Sequence, residues 1–263
     1  MPNLNGIYYE TYGAPAASPL LLIHGSTMTG QQDFVVESSL AERLAKRYYV
    51  IVPDCPGQGR SYNKADFADA GHLGSPLYYS FSGMAATLAQ FLVALNAAPA
   101  YVIGHSNGGN IALYMAVEQP QHTRAAVLLA ANAYIDAYVR QRVPVTMNPD
   151  YVAEHSPDWM REMIALHDTH HGPGYWRDLL QATIAETITN PDWNADHLAT
   201  VRTPCLCVQG QNDRVNVPGQ HAETLARWLP NAQLWAPPNI GHSVHHELPD
   251  EFERRVSEFF ERV

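Results

Sequence analysis

Ser106 stands in Gly104-His105-Ser106-Asn107-Gly108, directly after the apolar run Tyr101-Val102-Ile103 and just before the helix-like stretch from Ile111. A serine hydroxyl raised on a tight strand-to-helix turn is exposed for nucleophilic attack, and glycines flank it because side chains would clash there. The five-residue pattern alone occurs by chance in many chains, so its setting has to decide. An elbow serine needs a base to take its proton and a buried carboxylate to hold that base in one tautomer. Two later loops carry such groups, Asp213 in Gly210-Gln211-Asn212-Asp213 and His242 in Ile240-Gly241-His242-Ser243, and their order after Ser106 is acid, then histidine.

The chain has 13 histidines, and several compete for attention. His105, next to the serine, is expected to pack beneath it, and His24 to make a structural hydrogen bond under the neighbouring loop. His245 and His246 lie close enough to His242 in sequence to serve as the base, but the Gly-His pattern favours His242. Asp136 is a second candidate acid, just past the Ala125 strand; the Gly-x-x-Asp loop of Asp213 fits better. Asp54 reads as a turn-forming cap. His167, Asp168, His170 and His171 are ligand types gathered at a helix end, and such sets are more often solvated than metal-bound. No metal or other cofactor is expected, since a serine mechanism needs none.

These loops need a scaffold. Ile7 to Thr11 reads as an edge strand, and Leu20 to His24, Tyr49 to Pro53, Tyr101 to Gly104, Ala125 to Ala131 and Pro204 to Gln209 as apolar strands buried on both faces. A short strand is expected at Gln233 to Ala236. Between them lie helical patterns near Leu40, over Ser82 to Leu95, after Ser106, over Gln220 to Trp228 and from Pro249, with a polar loop over Tyr62 to Pro76. Strands alternating with helices in this rhythm build right-handed βαβ units and a mostly parallel sheet. The rhythm stops between Tyr134 and Leu198, where no buried-strand run occurs; one helix is expected from Ser156-Pro157-Asp158 to Gly172 and another striped by Tyr175, Leu179, Thr183 and Ile184. The predicted organisation is a core of residues 1–133 and 199–263 with a helical insertion at 134–198.

The 263 residues, 46% of them apolar, suffice for a large core. With 16 Lys and Arg against 26 Asp and Glu, and no basic run, the chain is unsuited to nucleic acid or an anionic membrane surface. No stretch reaches the apolar length of a membrane span, and the N-terminus lacks a secretory pattern, so a cytoplasmic location is expected. Cys55, Cys205 and Cys207 are too few and badly spaced for a disulfide framework; the last two alternate along a strand and belong to one buried face.

Taken in order, His24-Gly25, Asp54-x-Pro56-Gly57-x-Gly59-x-Ser61, the Ser106 elbow, Gly210-x-x-Asp213 and Gly241-His242 leading into Glu247-x-Pro249-x-x-Phe252 resemble the α/β-hydrolase superfamily. The resemblance runs from about Ile7 to the C-terminus, apart from the insertion. It implies an α/β fold, Ser106 as nucleophile, His242 as general base and acid, and Asp213 as the group orienting His242. It also implies an oxyanion hole made by the main-chain N–H groups of Ser26 and Asn107. A serine at a position where haloalkane dehalogenases and epoxide hydrolases carry aspartate points to acyl transfer to water: hydrolysis of a small-molecule carboxylic ester or lactone. Alternatives are C–C bond hydrolysis by a similar triad, or a receptor that keeps the pocket and turns over slowly. In the insertion, aromatic and methionine residues such as Tyr134, Tyr138, Met147, Trp159, Met163, Tyr175, Trp176 and Trp193 are expected to divide between packing and an apolar pocket over Ser106.

Overall fold

The computed structural model describes residues 3–62, 79–217 and 220–263, so the polar loop expected over Tyr62 to Pro76 lies, beyond Tyr62, outside the described residues. The strands are β1 (Asn3–Leu4), which the sequence reading does not include, β2 (Ile7–Tyr12), β3 (Ser18–Ile23), β4 (Tyr48–Pro53), β5 (Ala100–His105), β6 (Thr123–Leu129), β7 (Cys205–Val208) and β8 (Ala232–Trp235). They make one sheet in the order β1-β2-β4-β3-β5-β6-β7-β8, antiparallel as far as β2–β4 and parallel thereafter. Because helices cover both faces, the central strands are apolar on both. Leu21 and Ile23 pack into one apolar cluster, Leu20 and Leu22 into the other. Cys205 and Cys207 share the Leu21 face and are wholly buried, as the alternation predicts; burial pushes the Cys205 thiol up to about 12.

The core helices are α1 (Leu40–Leu44), α2 (Phe81–Ala94) and α3 (Asn107–Glu118) before β6. Between β6 and β7 come α4 (Ala137–Thr146), α5 (Pro149–His155), α6 (Pro157–Met163), α7 (Thr169–His171), α8 (Tyr175–Thr187) and α9 (Ala195–Leu198). After β7 come α10 (Gln220–Trp228), α11 (Val244–Glu247) and α12 (Pro249–Phe260), and single π turns occupy Gln32–Val36 and Ile164–Asp168. Helices α2, α3 and α10 pack on the Leu21 face; α1 and α12 pack on the other. The stripe of Phe252, Val256, Phe259 and Phe260 is what α12 buries, each side chain contributing roughly 1.5–3 kcal/mol. Ser80 starts α2, its hydroxyl accepting the Gly83 N–H at 3.3 Å, two residues ahead of the start read from periodicity.

The segment between β6 and β7 is helical, as expected, but holds more than the two helices that the apolar stripes reveal. Helix α4 carries Pro144 and buries only Val139, so it has no stripe; it starts because Asp136 Oδ1 accepts the Val139 N–H at 2.8 Å. Helix α5 is started by Asn148, whose Oδ1 takes the N–H groups of Asp150 and Tyr151. The segment has its own small core of Val152, Met163, Trp176 and Leu180. Among the described residues no helix is long and apolar enough to cross a membrane.

Candidate active site

Strand β5 ends at His105, and the chain turns into α3 through Ser106 with φ 55° and ψ −120°. A side chain held at positive φ is strained by about 1–3 kcal/mol, a cost that persists only where the surroundings over-determine it. Here they do: the Ser106 N–H donates to the Leu129 carbonyl at 2.8 Å, and a Cβ on Gly108 would come within 2.1 Å of the Ile23 carbonyl oxygen. Helix α3 can therefore start tight against β3 only with glycine at position 108.

Asp213 lies in the loop after β7, wholly buried. Its Oδ1 accepts the N–H groups of Val215 at 2.8 Å and Asn216 at 3.1 Å, and its Oδ2 accepts Gln209 Nε2–H at 3.2 Å. His242 Nδ1 sits 3.0 Å from both carboxylate oxygens. Burial pushes the Asp213 carboxyl up, but the hydrogen bond and charge of His242 and the two main-chain donors outweigh it and hold the group below its ordinary value. The two loops touch through their backbones: Asn212 N–H donates to the Ile240 carbonyl at 2.8 Å, and a Cβ on Gly210 would lie 2.2 Å from the carbonyl oxygens of Ile240 and Gly241. Glu247 Oε1 accepts the Gly241 N–H at 2.9 Å, which explains why a glutamate follows the Gly-His pair.

Ser106 and His242 open on one pocket of about 570 Å³, also lined by Gly25, Ser26, Thr27 and Met28 from the loop after β3. In that loop the Gly25 N–H goes to Asp33 Oδ2, that of Thr27 to Gln58 Oε1 and that of Met28 to the Gly25 carbonyl, while the Ser26 N–H has no acceptor among the described residues. Asn107 is the first residue of α3, so its N–H has no intrahelical acceptor either. Thr27 is also at positive φ, 62°, unusual for a β-branched residue. The far wall comes from the segment between β6 and β7, with Val139, Val143, Met147, Tyr151 and Trp159, together with the charged Arg142 and Glu162; Glu37 joins them from the core. Burial and the nearby Glu37 both raise the Glu162 carboxyl. The wall is thus less purely apolar than the sequence leads one to expect. Of the insertion's other large side chains, Met163, Trp176 and Trp193 are buried in packing, Tyr134 rests against His221 and Trp228, and Tyr138 donates to the Arg214 carbonyl.

The competing candidates have other duties. His24 Nε2 accepts the Cys55 N–H at 2.8 Å and its Nδ1–H donates to the Gly25 carbonyl, the structural bond expected. Asp136, besides starting α4, pairs with His221 Nε2 at 3.1 Å. Asp54 accepts the Gly30 and Arg60 N–H groups, shaping the turn as expected. Of the His167 set, His170 is exposed as expected, and Asp168 and His171 are half-buried. His167 is buried, its Nδ1 accepting the Gly59 N–H at 2.9 Å and its Nε2–H donating to the Thr27 carbonyl at 2.8 Å; burial lowers it to about 4. Asp168 instead accepts the Gly174 and Trp176 N–H groups.

Asp33 is the residue that no local pattern discloses. It lies buried in the π turn and binds His105, His245 and His246. Ligand atoms of Asp33, His245 and His246 lie within 4.8 Å of one another. His246 Nε2 also lies 3.2 Å from the Asp33 carbonyl and its Nδ1 3.2 Å from Glu37 Oε2, so each ring nitrogen faces an oxygen acceptor. Burial works against a charge on this ring, but Asp33 and Glu37 outweigh it and raise His246.

A sequence model of the alpha/beta hydrolase fold matches residues 18–249. RutD of Serratia proteamaculans, provisionally named a carbamate hydrolase, is 29% identical over 270 residues, covering 94% of this chain and 93% of its own. The 2-hydroxymuconate semialdehyde hydrolase of Pseudomonas putida is 28% identical over 267 residues, covering 92% and 86%. Among solved structures, Est816, described as an N-acyl homoserine lactone degrading enzyme, superposes with a TM-score of 0.72 at 23% identity and 96% of each chain.

Proposed function

The chain belongs to the alpha/beta hydrolase fold family, and from that premise we propose that it is a serine hydrolase of carboxylic esters or lactones, with residues 134–198 forming a lid over the site. The observation that carries this reading is that strained Ser106 and His242, the latter hydrogen-bonded to buried Asp213, open on a single pocket. Asp213 occupies Nδ1 of His242, so Nε2 is the nitrogen that takes the Ser106 proton as Oγ attacks the substrate carbonyl. The oxyanion is received by the N–H groups of Ser26 and Asn107, each such donor being worth about 10²–10³-fold in kcat. Collapse expels the alcohol with the proton held by His242, and water repeats the attack on the acyl-serine. In a lactone, acid and alcohol stay in one product.

Val139, Val143, Met147 and Trp159 favour a mid-sized apolar group, while Arg142, Glu37 and Glu162 add charge at the wall. A second reading, C–C bond hydrolysis by the same three residues, draws support from the likeness to the Pseudomonas putida hydrolase. A p-nitrophenyl ester series from acetate to octanoate tests the first. Wild-type turnover is expected, and Ser106→Ala lowers kcat by at least about 10³-fold. No turnover by wild type, or turnover unchanged in Ser106→Ala, overturns ester hydrolysis; faster turnover of a 2-hydroxymuconate semialdehyde than of any ester favours the second reading.

A further inference from the structure

The wholly buried Asp33 carboxylate is where the loops carrying the proposed reacting groups converge. Its Oδ2 accepts the Gly25 N–H at 2.9 Å and His105 Nδ1–H at 2.9 Å. Its Oδ1 accepts the Nε2–H groups of His245 at 2.9 Å and His246 at 3.0 Å. Gly25 is the chain neighbour of Ser26, and His105 of Ser106. His105 Nε2, the ring's remaining lone pair, faces Ser243 Oγ at 3.3 Å, and Ser243 is the neighbour of His242. His245 and His246 lie in α11, on the same loop's continuation. Ser26, Ser106 and His242 are thus each one residue from a member of this network.

A buried carboxylate costs several kcal/mol unless it is paired and hydrogen-bonded. Burial pushes Asp33 up, but the charges and hydrogen bonds of His105 and His245 outweigh it and hold the group well below its ordinary value. Its donors come from the loop after β3, the end of β5 and α11, so a shift of any one of these loops leaves part of a buried anion unsatisfied. A displacement of about 1 Å in a reacting group costs on the order of 10²-fold in rate.

We propose that Asp33 is a positioning residue for the reaction at Ser106, holding the Ser26 peptide, the serine elbow and the His242 loop in one register. This rests on the roles given above to Ser106, His242 and Ser26. The test is steady-state hydrolysis of a p-nitrophenyl ester by wild type, Ser106→Ala, Asp33→Asn and His105→Gln, with folding checked by circular dichroism. Asn in place of Asp33 keeps the shape but turns an NH₂ toward groups that are themselves donors. The expected result is kcat lowered about 10²-fold with KM within about threefold, the split that marks lost transition-state alignment; a merely structural role lowers Tm and leaves kcat of the folded protein unchanged. Where Asp33→Asn fails to fold, His105→Gln carries the test, with kcat expected to fall about tenfold at unchanged KM. Activity that needs Ser106 but stays within twofold of wild type in a folded Asp33→Asn or His105→Gln protein overturns the role of Asp33 alone. Activity indifferent to Ser106 overturns both it and the reading on which it rests.

Discussion

The loops after β3, β5, β7 and β8 and the helices between β6 and β7 face each other across one pocket, and they are held by different forces. On the sheet side, buried carboxylates accept main-chain N–H groups: Asp33 from Gly25, Asp54 from Gly30 and Arg60, Asp213 from Val215 and Asn216. Moving such a loop orphans a buried charge. Across the pocket, the helices pack on Val152, Met163, Trp176 and Leu180, and reach the core loops through side chains: His167 to Thr27 and Gly59, His171 Nε2 to the Gly59 carbonyl, Tyr175 OH to the Gly57 carbonyl. An apolar core tolerates substitution if its volume is kept. The proposed reacting groups are therefore held by hydrogen bonds centred on buried carboxylates at one wall, and the facing wall by a small apolar core joined to the core loops by a few side-chain hydrogen bonds.

The largest effect should come from crowding the rigid wall. Gly108→Ala forces a Cβ against the Ile23 carbonyl, and we expect a loss of more than about 3 kcal/mol in chemical denaturation, or no folded protein. A variant within 1 kcal/mol of wild type would show that the elbow gives way more easily than the contacts imply.

Next comes the joint between the walls. His167 is neutral when folded, with its pKa lowered to about 4, whereas the unfolded chain takes up this proton near 6.5. Below that value the unfolded state binds more protons, so this residue's contribution is intact above about 6.5 and falls away as pH drops toward about 4, by on the order of 3 kcal/mol. Denaturation midpoints across that range should slope less in His167→Gln than in wild type; equal slopes would remove His167 from the acid response. The smallest effect belongs to the adaptable wall. Trp159→Ala should raise KM for a long-chain p-nitrophenyl ester about tenfold while leaving kcat for the acetate within twofold, and an equal loss on both esters would contradict a purely selective role.

What could be read from the sequence follows the same division. Turns that press backbones together admit only certain residues, so Gly104-x-Ser106-x-Gly108, Gly210-x-x-Asp213 and Gly241-His242 announce themselves locally, and β5 and β7, which present the first two, are buried throughout. The duties of Asp33 and His167 are illegible because their partners lie far along the chain; His105 Nδ1 is 72 residues from Asp33, and the Gly59 N–H that His167 accepts is 108 residues away. Helix α4 escaped because it buries one side chain and contains a proline, which leaves periodicity nothing to detect. The division of the insertion's aromatics between pocket and packing depends on helix angles that no single residue type encodes.

The proposed roles of Ser106 and its partners meet their most direct test in covalent capture. Incubation with diethyl p-nitrophenyl phosphate, followed by intact-mass measurement and peptide mapping, should give one phosphoryl adduct, on Ser106, absent in Ser106→Ala and forming at least about 10²-fold more slowly in His242→Gln. An unmodified protein, an adduct on another residue, or a rate indifferent to His242 would contradict it.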